Sequence, residues 1–300
     1  MNFAISGVEI NPFYLAAMGF VVGILGGFFG VGGSFLAGPA LYGFGVPMNF
    51  VIGTDLAHIV GKSIVAARKH HTLGNIDLKL GLWMMVGTIP GVEAGAQLIQ
   101  LLKHVGHIDA VVGLIFILVL AGVSGFMAVE SWRAIHKKTT GRAAEKKSVF
   151  FSVAKKLHRI DWPPYVNLPV SGIGRVSLWP IFGVAFIGGL FSGFLGGGAG
   201  YIRMPFMIYL LGIPTHVAVG TDLFEIIFSA GYGVITHAIK GNVDILIALV
   251  MHTGGAVGAQ IGATLSQYFT GARIRMAFIP LPLLGIAIIL HGLLKGHIVK

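Results

Sequence analysis

A chain of 300 residues with 55% hydrophobic and 11% charged side chains, at a mean hydropathy of +0.85, lies outside the range of soluble domains and reads as an integral membrane protein. Its net charge of +10 is not spread as a nucleic-acid-binding surface would be: ten Lys and Arg against three acids fall between Glu130 and Val176. With no cysteine, disulfides, zinc–thiolate sites and thiol nucleophiles are excluded.

Eight apolar segments run approximately over 12–44, 46–67, 78–102, 108–128, 178–211, 217–239, 245–269 and 276–294. The first and fifth exceed a single span, and a glycine cluster in each predicts a break into a helix and a half-helix. The expected fold is an all-α integral membrane protein of about eight transmembrane helices in two homologous halves, four and four. Residues 1–129 form the first repeat, 130–176 a basic linker and 177–300 the second repeat. Flanked by apolar segments, the linker is expected on the cytoplasmic side of the cell (inner) membrane under the positive-inside rule. Four crossings per half would make the halves parallel, with both termini cytoplasmic; an odd number would invert them. The first basic residue is Lys62, so the N-terminus lacks the basic region of a cleavable signal peptide. Within the linker, apolar and basic residues alternate over 150–160 ahead of Trp162-Pro163-Pro164-Tyr165, a pattern that predicts an interfacial amphipathic helix.

Comparing the chain with itself at an offset of 167 residues exposes a duplication. Gly26, Gly30 and Gly33 fall on Gly193, Gly197 and Gly200, and Gly53-Thr54-Asp55-Leu56 falls on Gly220-Thr221-Asp222-Leu223. The register then holds without a gap: His70 meets His237, Gly74-Asn75 meets Gly241-Asn242, Asp77 meets Asp244, and Gly87, Gly91 and Gly95 meet Gly254, Gly258 and Gly262. Roughly a third of the positions from Gly26 to Gln100 are identical, including a polar tetrapeptide that membrane composition alone would not match.

Inside lipid, irregular backbone survives only where protein or an aqueous cavity satisfies its amides. The clusters containing Gly30, Gly32 and Gly33 and containing Gly197, Gly198 and Gly200 are therefore expected to line a midplane site. There, half-helix N-termini would meet an anion. The competing reading is close helix packing through small residues. Thr54 and Thr221, with hydroxyls at helix starts, are expected substrate ligands together with a cation from Lys62 or Arg203, and Asp55 and Asp222 bind there too or else cap or titrate. Asp55, His58 and Lys62 share one helix face, whereas the second half has Asp222, Glu225 and Ser229 at the matching positions. Arg203, matched by Leu36, is a partner for those acids or a direct anion ligand. Asp55, Glu93, Asp222 and Glu225 are the candidate proton carriers. His70, His71 and His237 read as interfacial and His252 as a packing residue. No metal-ligand spacing, P-loop or dinucleotide pattern is present, so no metal, cofactor or enzymatic role is expected.

The ordered combination resembles the sulfite exporter TauE/SafE family. It comprises a duplicated glycine cluster followed by Pro, Gly-(Val/Ile)-Pro, Gly-Thr-Asp, Gly-Asn-(Ile/Val)-Asp and a Gly-x3-Gly-x3-Gly helix. The likeness extends over nearly the whole chain. The resemblance implies an eight-span exporter of small sulfur-containing anions such as sulfite, sulfoacetate or other organosulfonates. The family commonly carries Ser after Gly-Thr, where both halves here have Asp, and an acid at the site repels an anion unless it is protonated or paired. The reading is thus a secondary transporter working by alternating access, with a proton-coupled transporter of another small solute or cation as the alternative. Its expected partners are a small anionic substrate and membrane lipid, with a homodimer possible and no nucleic acid. An inside-negative potential, about 2.3 kcal/mol per charge per 100 mV, would itself assist anion export.

Overall fold

In a computed structural model, residues 1–105, 108–136 and 162–298 are described; the interfacial helix expected at 150–160 lies outside them. A short hairpin of β1 (Asn2–Phe3) and β2 (Val8–Glu9) precedes α1 (Pro12–Phe29), α2 (Ser34–Gly43), α3 (Met48–Thr72), α4 (Leu78–Val105) and α5 (Ile108–His136). A second hairpin of β3 (Tyr165–Leu168) and β4 (Ile173–Ser177) precedes α6 (Leu178–Leu195), a 3-10 turn (Gly197–Ala199) and α7 (Gly200–Tyr209). The remaining helices are α8 (Thr215–Ile239), α9 (Ile245–Ser266), α10 (Gly271–Phe278) and α11 (Pro280–Ile298). Among the described residues, seven helical stretches are long and apolar enough to cross a membrane, with α10 and α11 counted as one. The third apolar segment of the sequence, α4, falls outside those seven although it is 28 residues long.

Local sequence sets the helix ends. Asn11 caps α1 by accepting from the Phe13 N–H, with Pro12 in the first turn, and Ser177 caps α6 by accepting from the Trp179 N–H. The α1 helix ends at Gly30, whose φ of 76° only glycine adopts readily, and Gly32 and Gly33 repeat that geometry before α2 begins. Gly196, Gly197, Gly198 and Ala199 turn the chain between α6 and α7 in the same way.

Helix directions follow from which residues touch. The packing partners of Gly19, Gly23 and Gly27 of α1 are the carbonyls of Met251, Gly255 and Ala259 in ascending order, so α1 and α9 run parallel. Gly87, Gly91 and Gly95 of α4 meet Phe182, Phe186 and Leu190 in the same sense, so α4 and α6 are parallel too. By contrast, Gly53 near the start of α3 lies against Asn242, just past the end of α8, while Gly220 near the start of α8 lies against Asn75, just past the end of α3. Helices α3 and α8 are therefore antiparallel. The α2 helix runs back toward the face from which α1 entered, since Phe35 packs on Gly285 and Tyr42 on Gly292 of α11.

The consequence is a bundle with two distinct faces. The β1–β2 hairpin lies on one, with the starts of α1, α3, α5 and α9; the β3–β4 hairpin lies on the other, with the starts of α4, α6, α8 and α10. Each of α1–α2 and α6–α7 enters, breaks and turns back. Because those pairs make no net crossing, the chain passes between the faces an odd number of times before the central segment. The start of α1 and the end of α11 thus lie on the face opposite the end of α5 and the β3–β4 hairpin, which is the outcome an odd count requires rather than the parallel one. The two hairpins are held reciprocally: Ser6 donates from N–H and Oγ to Asp244 Oδ2 at 3.1 and 2.7 Å, and Ser171 donates to Asp77 Oδ2 at 3.2 and 2.8 Å.

Candidate functional site

The two backbone breaks meet in the middle of the bundle. Ser34 Oγ, at the first residue of α2, donates to the Gly197 carbonyl at 2.6 Å, and Gly200, at the first residue of α7, abuts Val31. Residues 30–35 and 192–205 are buried throughout. Neither α2 nor α7 has a side-chain cap at its N-terminus, so two ten-residue helices direct their partly positive ends at one enclosed region.

Most glycines of the clusters have no room for a side chain. A Cβ at Gly30 would lie 2.5 Å from Val219 Cα, at Gly32 2.7 Å from Ile59, at Gly33 2.5 Å from the Val22 carbonyl and at Gly197 1.8 Å from Ser34. At Gly198 it would press on Ile226 at 3.0 Å, and at Gly200 it would meet Asp222 Oδ2 at 2.5 Å. The clusters thus divide by role. Gly27 and Gly193 serve helix packing against α9 and α4, while the following glycines make the turns.

Two buried ionisable groups flank the breaks. In one, Arg203 of α7 donates from Nε to Asp222 Oδ1 and lies 2.5 Å from Glu225 Oε2 through its Nη1, with all three side chains fully enclosed. Glu225 also accepts from Ser229 Oγ at 3.1 Å. In the other, Lys62 Nζ lies 3.2 Å from His58 Nδ1, and the Asp55 carboxylate stands 3.8 Å from that same nitrogen, beyond hydrogen-bond reach. Among the described residues, neither Asp55 oxygen has a hydrogen-bond partner, nor do His58 Nε2, the Tyr201 hydroxyl, Asp222 Oδ2, Glu225 Oε1 and Arg203 Nη2, although all are buried. Asp55 Oδ2 borders the Gly197 turn, and His252 of α9 lies across from Gly61 beside Lys62.

Other expected site residues lie elsewhere. The Thr54 hydroxyl accepts from the Asp244 N–H at 2.9 Å and the Thr221 hydroxyl from the Asp77 N–H at 2.9 Å, which ties each repeat's third helix to the turn of the other. Glu93 sits apart, one-third exposed, accepting from Gln97, Tyr232 and Lys240 at 2.6, 3.2 and 3.4 Å. His70 and His237 are not interfacial: both are fully buried, with Nε2 bonded to the Gly27 and Gly193 carbonyls at 3.0 and 2.9 Å. They brace α1 and α6 just before each break. His71 is exposed.

Sequence reading missed Ser34, Tyr201 and the two serines that hold the hairpins. Tyr201 falls on Ser34 at the 167-residue offset, so the signal was present but lacked chemical similarity. Ser6 and Ser171 are two residues out of that register.

The profile of the sulfite exporter TauE/SafE family matches residues 15–289. Among curated relatives, the probable membrane transporter protein YunE of Bacillus subtilis is 26% identical over 288 residues, covering 93% of this chain and 97% of its own length. The probable membrane transporter protein MJ0441 of Methanocaldococcus jannaschii is 26% identical over 279 residues, covering 87% and 89%. No solved structure matches significantly. With the match running from the first helix to the last, the chain belongs to the sulfite exporter TauE/SafE family and is a multi-pass membrane transporter rather than an enzyme.

Proposed function

We propose that this protein exports small sulfur-containing anions, of the sulfite and organosulfonate class, across the cytoplasmic membrane by alternating access around the meeting point of the two breaks. The observation that carries the reading is the convergence of two uncapped half-helix N-termini on one buried region beside Lys62. Backbone amides at such ends suit a negatively charged solute without requiring many cations. The substrate class itself rests on the family.

The enclosed geometry represents an occluded state in this reading. Two halves of opposite direction are related by a pseudo-two-fold axis in the membrane plane, so exchanging their conformations would open the site first to one face and then to the other. The reciprocal hairpin and threonine contacts supply matched closures on the two faces. Orientation follows from charge. The face carrying the β3–β4 hairpin holds Arg68, Lys69, Arg273 and Arg275, and the basic sequence between α5 and β3 connects elements that end and begin on it, which supports a cytoplasmic position under the positive-inside rule. In a parallel arrangement Arg273 and Arg275 would have faced outward; inversion brings them to this face and leaves Lys103 and Lys240 on the other.

Flux of labelled sulfite and methanesulfonate into proteoliposomes is the direct test. The reading expects saturable flux that each anion inhibits for the other and that Lys62→Gln lowers at least tenfold. Flux of divalent metal cations instead, with no competition by sulfonates, would favour the cation alternative raised by Asp55, Asp222 and Glu225.

A further inference from the structure

The two buried polar groups are not equivalent, and the difference identifies how an anion could be accommodated. Arg203 is already engaged by two carboxylates, and the second oxygen of Asp222 lies against the first residue of α7, where an incoming anion would have met the helix end. That half has no positive charge to spare. In the first half Lys62 has a histidine as its contact, Asp55 stands near the same histidine nitrogen without a hydrogen-bond partner, and the unpartnered Tyr201 hydroxyl lies on the Asp55 side.

We infer that Lys62, with His58 and Tyr201, forms the anion subsite and that Asp55 takes up one proton for each anion bound, making transport an electroneutral movement of proton and anion together, so that export runs down the anion's own gradient without help from the membrane potential. The inference rests on the anion-transport reading above. With the site empty, the Asp55 carboxylate and the Lys62 ammonium face the same nitrogen of His58 and balance each other. An anion arriving at Lys62 with Asp55 still ionised would leave a net negative charge in a buried, low-dielectric region, which is strongly unfavourable. A proton on either free oxygen of Asp55 removes that charge, and Lys62 then pairs with the anion. Both the empty and the loaded site are neutral, and only neutral forms cross between the faces readily.

The surroundings of Asp55 leave it free for this role. Among the described residues, the titratable or charged groups near it are His58 and Lys62 on α3, Tyr201 on α7 and His252 on α9. From α8 and the turn that follows it, His237 and Asp244 approach, but His237 is bonded to Gly193 and Asp244 is held by Ser6. Asp222 and Glu225 are both paired with Arg203, although Asp222 Oδ2, Glu225 Oε1 and Arg203 Nη2 have no hydrogen-bond partner among the described residues; what sets Asp55 apart is that it has no cation in direct contact.

Methanesulfonate is the probe, since it stays a monoanion throughout the neutral range. In wild-type proteoliposomes a proton gradient should drive its accumulation, while a 100 mV potential should leave accumulation unchanged; a uniporter would respond roughly 50-fold. Asp55→Asn should lose gradient-driven net uptake at least tenfold yet retain methanesulfonate-for-methanesulfonate exchange, because the loaded form is still neutral whereas the empty form leaves Lys62 uncompensated. Where that variant fails to fold, binding to purified wild type in weak buffer should take up close to one proton per anion. Gradient-driven accumulation by Asp55→Asn, wild-type accumulation that follows potential, or binding without proton uptake overturns the inference and leaves the anion-transport reading standing. Absence of any sulfite or sulfonate flux in wild type overturns both.

Discussion

Ser34 Oγ donates a 2.6 Å hydrogen bond to the carbonyl of Gly197, and this contact joins the tips of the two turned-back helix pairs. Gly197 has a φ of 71°, and a Cβ there would coincide with the Ser34 side chain at 1.8 Å. Ser34→Ala should cost about 1 kcal/mol, the typical worth of such a bond. Gly197→Ala should cost more, because it adds left-handed strain of roughly 1–2 kcal/mol to the clash. The two effects should not add: Ser34→Gly ought to relieve the clash of Gly197→Ala but not the strain. Thermal unfolding of the four proteins in detergent measures this, and strict additivity would show that the tips do not touch.

Arg203 is expected to act on stability before it acts on flux. Removing it leaves Asp222 and Glu225 buried without their cation, and breaking a buried pair of this kind typically costs about 3–5 kcal/mol. Arg203→Gln should therefore melt well below wild type, and the deficit should shrink as pH falls, since protonating the acids removes the stranded charge. Adding Asp222→Asn and Glu225→Gln to it should recover most of the loss. An Arg203→Gln protein with a wild-type melting curve would show that the three groups are not mutually paired.

How far the sequence revealed this arrangement depends on the kind of information involved. The duplication, both breaks and the Gly-x3-Gly-x3-Gly helices were legible because each imposes a residue type: glycine where φ is positive, or glycine where another backbone comes within contact. Inversion was not legible, because a sequence offset is blind to direction; only the pairing of Gly53 with Asn242 and Gly220 with Asn75 discloses it. The threonines of the Gly-Thr-Asp pairs fit a ligand role in the sequence because a hydroxyl serves an anion or an amide equally well, but the helices begin earlier than that reading expects, at Met48 and Thr215. Here each receives an aspartate N–H from the other half. The pairing of Arg203 with both acids was one of two readings, and sequence had no means of choosing between them.

The glycine helices make a quantitative case for packing. A Cβ at Gly258 would stand 2.1 Å from the Phe20 carbonyl, and one at Gly91 2.3 Å from the Phe186 carbonyl. These neighbours are backbone and cannot swing aside, so α1 would have to move off α9, or α6 off α4. Gly258→Ala and Gly91→Ala should each destabilise by about 1–3 kcal/mol, the usual cost of overpacking. Gly122→Ala and Gly231→Ala are the matched controls: no atom lies within 4 Å of a Cβ at either position, so their melting temperatures should stay at or above wild type. Equal losses at all four positions would mean that the close helix contacts do not form.

The absence of native cysteine makes the antiparallel arrangement of α3 and α8 directly testable. Ile5, in the turn of the first hairpin, and Val170, in the turn of the second, are both about half exposed, at 51% and 46%. Because the hairpins lie on opposite faces, Ile5→Cys and Val170→Cys should react with a membrane-impermeant maleimide from opposite sides of sealed vesicles. Under the positive-inside orientation, Ile5→Cys labels in right-side-out vesicles and Val170→Cys only in inverted ones. Had the halves run parallel with four crossings each, the two hairpins would share a face and both cysteines would label from the same side. The reversed pattern, with Val170→Cys outside, would preserve the inversion and discard only the assignment of the basic face to the cytoplasm. Labelling of both from one side would remove the antiparallel pairing, and with it the alternation of closures between Ser6–Asp244 and Ser171–Asp77.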